Sequence, residues 1–454
     1  MDVPNPVKTR FFGRTAILED LVHGVLAPSQ PLDYSLVGPK MIGKSRMLKY
    51  LADDDGPLKG DKFRHLRPPV YQDGQQVQVF LFDCIWPEAR AHLTRFLSDQ
   101  LQQQLRANAG YIRDWSHIER ATSPGLQIGL MVEQLEREHI RMVLLLDHFD
   151  FVMRSDTITP DTINELRPLT NMLGLIVATE QPLHDISPAL AASPLFNLMH
   201  QHFVGLLEPA AATEWLNAYR DRLAMSADLQ DSLRRLTGDH PYLLARVNDV
   251  ITELGPFMAG QPEVGSQHLP LIELRLAEHS RPLFDNTCRR LTESPAKQVA
   301  LPLMSRLAQG PLPIEALTPD QAVGFNWLVN QAVVRLSQNQ VAIFSPLFTR
   351  YFLEHSRARP PAAAPSPEPA PALLNSLAPK EARLLRYFQQ HSNQPVSFDE
   401  LLANIWGQPD ASSRRVQEAV RRLRLQLKKQ KPPLGVIKSE RGVGYRFVPH
   451  NINE

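Results

Sequence analysis

Cysteine is scarce: the chain of 454 residues has two, Cys84 and Cys288, too few for a disulfide framework or a four-thiolate metal site. Long apolar runs are missing as well. No stretch of about 18 apolar residues exists to span a bilayer, and the start MDVPNPVKTRFFGR does not read as a secretion leader. The expected setting is a cytoplasmic protein of a reducing compartment with no membrane partner. Neither sign of charge dominates, with 49 Lys+Arg against 48 Asp+Glu, and glycine (22) is outnumbered by proline (39). Nor is there an internal repeat at a period of about 20–50 residues, which removes solenoids and propellers. What is present is a 43% hydrophobic composition, enough for packed cores. At roughly 100–200 residues per domain, the length suggests about three domains.

The balanced charge conceals a segregation. Leu377–Pro449 holds 14 Lys+Arg against 6 Asp+Glu, while the remainder holds 35 against 42. A basic tail on an acidic body points to a nucleic-acid partner for the tail. Between them lies SRARPPAAAPSPEPAPA, with six prolines in the twelve residues from Pro360 to Pro371. Such a run lacks backbone donors, favours extended geometry and reads as a semi-rigid linker over 356–372.

Ahead of the linker, short apolar runs alternate with helical patterns. Tyr34–Val37, Val77–Phe82, Met142–Leu146 and Leu173–Ala178 have the length of buried parallel strands. Arg46–Asp53 and His92–Ala107 read as helices between them. That alternation predicts a doubly wound α/β domain over 1–207. Residues 208–265 read as helical, interrupted at Pro241, and 266–355 as a second helical domain closing on a strand pair near Val333–Phe344.

The segment GPKMIGKS has the form G-x-x-x-x-G-K-[ST] and joins the first strand to a helix. Its backbone N–H groups, from Gly38, Pro39, Lys40, Met41, Ile42 and Gly43 through Lys44, Ser45 and Arg46, are the expected phosphate cradle, save that Pro39 has no N–H to give. Lys44 is expected on the β- and γ-phosphates and the Ser45 hydroxyl on Mg²⁺. RMVLLLDHFDFV delivers Asp147 at the carboxyl end of a strand, where a second oxygen ligand for Mg²⁺ belongs. Asp150 lies close by. Thr179 and Glu180 end another strand. Thr179 reads either as a γ-phosphate sensor or as the cap of the next turn. No N-K-x-D tetrad is present, so ATP and ADP are expected rather than guanine nucleotides.

FFGRTAILEDL before this loop, LTGDHPYLLARV and FSPLFTRYFLEH resemble, in order, the F-x-G-R segment, the lid segment G-x-x-P and the end of the internal winged helix of STAND-class ATPases, relatives of AAA+ proteins. The resemblance covers about residues 8–355. It implies a nucleotide-controlled switch of P-loop domain, helical lid and internal winged helix, with Arg14 and Pro241 bordering the adenosine. Many relatives carry a carboxylate directly after the aspartate of the strand, acting as the base for water. Here that residue is His148, so slow hydrolysis is expected, with His148 or Asp150 as the base, or His148 as a packing residue only.

The segment after the linker, 373–454, contains LAPKEARLL, DELLANIWG, SSRRVQEAVRRLRLQL and RGVGYRF. In the third, Val416, Val420, Leu423 and Leu427 recur at helical spacing as a buried stripe, with the arginines mostly off it. Ser412 or Ser413 is placed to cap that helix. These pieces resemble the winged-helix effector domain of OmpR/PhoB-type response regulators. The resemblance implies double-stranded DNA as partner, contacts from Arg414, Arg421, Arg422 and Arg424, Arg441 in a minor groove and Tyr445 against the backbone. Arg415 and Glu418 fall on variable positions of its recognition helix. The combined expectation is an ATP-dependent transcriptional regulator that forms homo-oligomers on ATP and answers a protein or small-molecule signal. The alternatives are a DNA-bound accessory protein of a mobile element or defence system, and a nucleotide sensor without hydrolysis.

Overall fold

The computed structural model describes residues 10–107, 110–166, 169, 172–187, 190, 193, 199–223, 225–255, 264–294, 296–357, 377, 379–390, 395–406, 414–427, 435–440 and 444–449. The proline-rich stretch from 358 onward lies outside them. The chain divides into two compact units, Met1–His355 and Ser356–Glu454. No helix among the described residues is long and apolar enough to cross a membrane.

The first unit is built on five parallel strands, β1 (Tyr34–Val37), β2 (Val77–Asp83), β3 (Arg141–Asp147), β4 (Gly174–Thr179) and β5 (His200–Phe203), in the order β2-β3-β4-β1-β5. The first four are the strands expected from the apolar runs. Every residue of β1, β3 and β4 is buried, as parallel strands covered on both faces require. Helices α1 (Thr15–Val25), α2 (Lys44–Ala52), α3 (Leu93–Ala107) and α4 (Pro124–Arg137) belong to the same α/β layer. The register sets Asp83 level with Asp147 and Val37 level with Thr179. The carboxyl ends of four strands thus form one edge. β5 was not foreseen: HQHF is polar, and its residues are largely exposed because it pairs on one side only.

Helices α5 (Pro209–Leu223), α6 (Ala227–Thr237) and α7 (Pro241–Leu254) follow. Pro241 starts α7 rather than breaking a helix, at a first-turn position where its missing N–H costs nothing. Gly238 ends α6 at φ 58°, and a Cβ there would stand 1.7 Å from Phe344 O, so only glycine permits this approach. Then come α8 (Leu269–Glu293), α9 (Lys297–Leu307), β6 (Leu312–Pro313), α10 (Pro319–Asn330), β7 (Val334–Ser337), β8 (Gln340–Ile343) and α11 (Pro346–Arg357), with β6-β8-β7 an antiparallel sheet. One hydrophobic cluster runs from Leu229 and Leu244 through Leu276 and Phe284 to Val341 and Phe348.

The second unit contains α12 (Pro379–Gln390), β9 (Pro395–Ser397), the short helix Phe398–Leu401, α13 (Arg414–Leu427), β10 (Gly435–Glu440) and β11 (Gly444–Pro449). Its antiparallel sheet has the order β10-β11-β9. The stripe Val416, Val420, Leu423 and Leu427 packs with Leu384, Phe388, Leu401, Ile437 and Phe447. Helices closed by a hairpin make this a winged helix.

Asp33, just before β1, is buried. Its Oδ1 has no hydrogen-bond partner, and burial pushes the carboxyl pKa up to about 8 against the opposing backbone N–H of Leu175. The folded pKa exceeds the unfolded one. The stability tied to the neutral form is therefore complete below the ordinary carboxylate range and is lost as pH rises through about 8. Asp33→Asn should flatten the melting temperature of this unit between about pH 4 and 8 and raise it at the alkaline end. Melts of both proteins across that range check this; parallel curves would assign the titration elsewhere.

Candidate functional site

The loop from Gly38 to Gly43 crosses from β1 to the first turn of α2. Gly38 N–H donates to Thr179 O at 3.1 Å, which fastens the loop to the end of β4. Met41 and Gly43 take positive φ, 64° and 100°. A Cβ on Gly43 would also stand 2.9 Å from Arg14 Nη1, so both backbone and space call for glycine there. The loop delivers its N–H groups and the positive end of α2 to one place, the arrangement that receives phosphate.

Arg14 is buried. Its Nη2 donates to Ile42 O and, at 3.1 Å, to Gly205 O. Its backbone N–H points at both carboxylate oxygens of Glu208, at 3.1 and 3.0 Å. Burial lowers its pKa to about 10, opposed by Glu208. The ring of His240, preceding Pro241, is buried and pushed down to about 3, first by burial and then by the Arg14 charge. Arg14 and the start of α7 are therefore neighbours, and the Arg14 guanidinium serves as a brace of the loop.

Lys44 Nζ donates to Gly38 O at 2.6 Å and Pro39 O at 3.0 Å. Burial lowers its pKa to about 8, and Asp150, Glu180 and Asp147 act to raise it. Lys40 lies 3.3 Å from Glu180, Ser45 is half-buried beside Lys44, and Arg46 turns away to Arg10 O at 2.8 Å.

Along the strand edge, Asp147 is buried, and its Oδ1 accepts from His148 N at 2.9 Å. Asp150 is buried too; its Oδ1 accepts from Glu180 N at 2.8 Å, and burial raises its pKa. Asp150 thus straps β3 to β4. Thr179 Oγ1 donates to Gln181 O at 2.8 Å, so of its two readings the turn cap has the geometry. His148 sits at φ 53°, with Nδ1 3.1 Å from Asp83 Oδ1 and 3.6 Å from Asp147 Oδ2. A ring that donates from Nδ1 keeps Nε2 as its acceptor.

Two residues of this site were not foreseen. Asp83 ends β2 as Asp147 ends β3, and the same pattern of an apolar strand closing on aspartate was there to be read. Arg290 gave no local signal. It comes from α8, donates through Nη2 to Glu180 O at 2.8 Å, and leaves Nη1 buried without a partner. Burial lowers its pKa, with Glu180 and Asp150 opposing. Beside these groups is a cavity of about 490 Å³ bordered by Lys40, Arg90, Asp150, Phe151, Arg154 and Glu180.

The residues fit a nucleotide triphosphate. The loop and Lys44 suit the phosphates, and the unpartnered N–H of Arg290 suits an anion. The Ser45 hydroxyl and Asp147 carboxylate are the hard oxygen donors that Mg²⁺ prefers. Among the described residues no group of three or more His, Cys, Asp or Glu side chains is arranged to hold a metal. A cation here would depend on phosphate and water for most of its ligands.

In the second unit, α13 turns its apolar stripe inward and leaves Arg415, Arg421 and Arg422 exposed. Arg424 is turned onto the hairpin, donating through Nε to Ile437 O and through Nη2 to Ser439 Oγ, both at 2.9 Å. Its guanidinium also lies over the Tyr445 ring at 5.4 Å. Residues 374–447 match the profile of the family described as transcriptional regulatory protein, C terminal. The second unit carries that family's domain. Over 69 residues the chain is 33% identical to the transcriptional regulatory protein YvrH of Bacillus subtilis, a match covering 15% of this chain and 29% of that relative. The chain therefore spans a little under a third of the length of that relative.

Among solved structures, the chain is similar to the Walker-type ATPase PABY2304 of Pyrococcus abyssi (TM-score 0.45, 15% identity, 75% of this chain and 95% of that one). It is also similar to the ORC2 protein of Aeropyrum pernix in ADPNP–ADP complexes (TM-score 0.46, 11% identity, 79% and 99%). No function follows from likeness at that level.

Within the regulatory domain, Arg424 and Tyr445 both take part in the packing of the fold. Arg424 spends two of its five N–H donors on the hairpin, which gives it a role in holding the fold. Tyr445 is buried against Phe398, with ring centroids 5.4 Å apart, so its ring is core. Arg441, Ser412 and Ser413 lie outside the described residues, as does the Arg414 side chain. Arg424→Ala should lower the stability of the second unit by about 1.5 kcal/mol, the lower end for hydrogen bonds from a charged group. Chemical denaturation of the full chain followed by a probe in this unit checks it. An unchanged midpoint with weakened DNA binding would return Arg424 to the DNA.

Proposed function

We propose that the chain is an ATP-dependent, DNA-binding transcriptional regulator in which the nucleotide state of residues 1–355 governs a winged helix that reads duplex DNA. One observation carries this reading: a phosphate loop with its acidic strand edge precedes, in the same chain, a regulatory domain matched over 374–447. In this reading 1–207 is the P-loop domain, 208–265 a lid of STAND type, 266–355 an internal winged helix and 356–372 a linker. Arg414, Arg415, Arg421, Arg422 and Arg441 supply the DNA contacts. ATP-driven self-association would set paired DNA modules on tandem half-sites, where tethering raises their effective concentration.

Lys44 and Arg290 hold the β- and γ-phosphates, and Ser45 and Asp147 hold Mg²⁺, which supplies charge neutralisation at the phosphates. Lys44 must leave Gly38 O and Pro39 O to do so. Arg290 is the group through which α8 senses the third phosphate. Lys44→Ala should abolish binding of a labelled ATP analogue; equal affinity in the two proteins would remove the phosphate assignment. Arg290→Ala should cut ATP affinity by about tenfold, or 1.4 kcal/mol, and leave ADP affinity nearly unchanged. Loss of both nucleotides alike would make Arg290 a packing residue.

Hydrolysis is slow in this reading, because a half-exposed imidazole stands where a carboxylate would polarise water. General-base help is worth about 10²–10⁴-fold. His148→Glu should accelerate single-turnover hydrolysis with little change in ATP affinity, and the neighbouring Asp83 carboxylate would hold the new acid's pKa up toward a useful range. A parent protein already fast, with the variant no faster, would place the base at Asp150 or Glu180.

A further inference from the structure

The outer face of α13 is not a plain row of cations. Glu418 stands on it, one turn ahead of two arginines. Its Oε2 accepts from Arg421 Nε at 3.0 Å, and its Oε1 accepts from Arg421 Nη2 at 2.8 Å and from Arg422 Nε at 3.2 Å. One carboxylate thus takes a two-pronged fork and a third bond besides. The three side chains remain well exposed, 44% for Glu418, 63% for Arg421 and 59% for Arg422, so the cluster faces outward while Val416, Val420 and Leu423 face the core. The hydrogen bonds to Arg421 and Arg422 hold the Glu418 carboxyl far below the usual carboxylate range, so it is ionised at neutral pH.

A carboxylate in this position is a cost on any duplex. Phosphates repel it, and its bonds keep two guanidinium groups from the phosphate contacts that provide most non-specific affinity. The major groove offers such a group only one kind of favourable partner, an exocyclic amino group. Cytosine N4 is the usual one for glutamate, and the guanine edge opposite it takes arginine bidentately. We propose that Glu418 is a specificity-determining residue that restrains Arg421 and Arg422 on arbitrary DNA and releases them where a cytosine amino group donates to its carboxylate. The proposal rests on the DNA-binding reading of the second unit. It differs from a helix-surface ion pair in its consequence: removing Glu418 should strengthen binding to the wrong DNA.

The test uses the full chain and a mixed-sequence duplex of about 30 base pairs over a series of KCl concentrations. Glu418→Gln should bind this duplex about tenfold tighter at low salt, and its plot of log K against log salt should steepen by about 1–2 as two arginines gain phosphates. The same change made on Arg421→Ala/Arg422→Ala should steepen the plot by less than half as much. Selection from a random duplex pool should enrich a fixed C·G pair with the parent protein and relax that position with Glu418→Gln. Equal steepening in both backgrounds would reduce Glu418 to one negative charge and overturn the proposal, as would an unchanged selected sequence. A parent protein that binds no duplex at low salt would fail the DNA-binding reading itself, and the restraint would fall with it.

Discussion

Two segments far from Arg14 in the chain, the phosphate loop and residues 205–208, meet on its guanidinium and backbone. The side chain ties the phosphate loop through Ile42 O and the end of β5 through Gly205 O, and its N–H rests on Glu208 at the entrance to α5. Burying a charge is costly unless it is hydrogen-bonded and compensated; here two carbonyls take Nη2 and the Glu208 charge offsets part of the burial, while Nε is left without a partner. Burial, helped by the same charge, keeps the adjacent His240 imidazole neutral, which lets that ring accept from Tyr242 N at the start of α7. Loop geometry, sheet edge and helical bundle are therefore set by one residue held at φ 58°.

Much of this was legible because it is local. β1, β3 and β4 are continuous apolar runs, the loop is a contiguous motif, and the stripe of α13 repeats at helical spacing. What escaped was decided by partners distant in sequence. β5 and β9 are strands because β1 and β11 present free edges to them, and neither HQHF nor PVS carries an apolar pattern of its own. Arg290 reaches the site only because α8 packs where it does. Arg424 and Arg422 are two residues apart and look alike in sequence, yet one lies over a hairpin and the other outward. Helical phase separates them, and knowing where the hairpin closes requires the fold.

The nucleotide site is a balance of opposite charges rather than a basic pocket. Lys44 and Arg290 both lose proton affinity through burial, and Asp147, Asp150 and Glu180 restore part of it. Lys44 is lodged on carbonyls of its own loop, while Arg290 Nη1 is buried without a partner. An incoming phosphate must exchange those lysine bonds, whereas it meets an unoccupied donor at Arg290. In the proposed reading, the third phosphate is the part of the ligand that this reserve donor would meet.

Because Arg290 belongs to α8 while its acceptor, Glu180 O, follows directly from β4, the contact links two regions whose cores are otherwise separate clusters. Such a link works in both directions. If the third phosphate tightens the hold on α8 by some factor, thermodynamic reciprocity requires that any molecule favouring the held position of α8 tighten nucleotide by the same factor. An input signal for this protein would then need no access to the nucleotide at all. Gripping one helix would lengthen the stay of the ligand at the far end of its arginine.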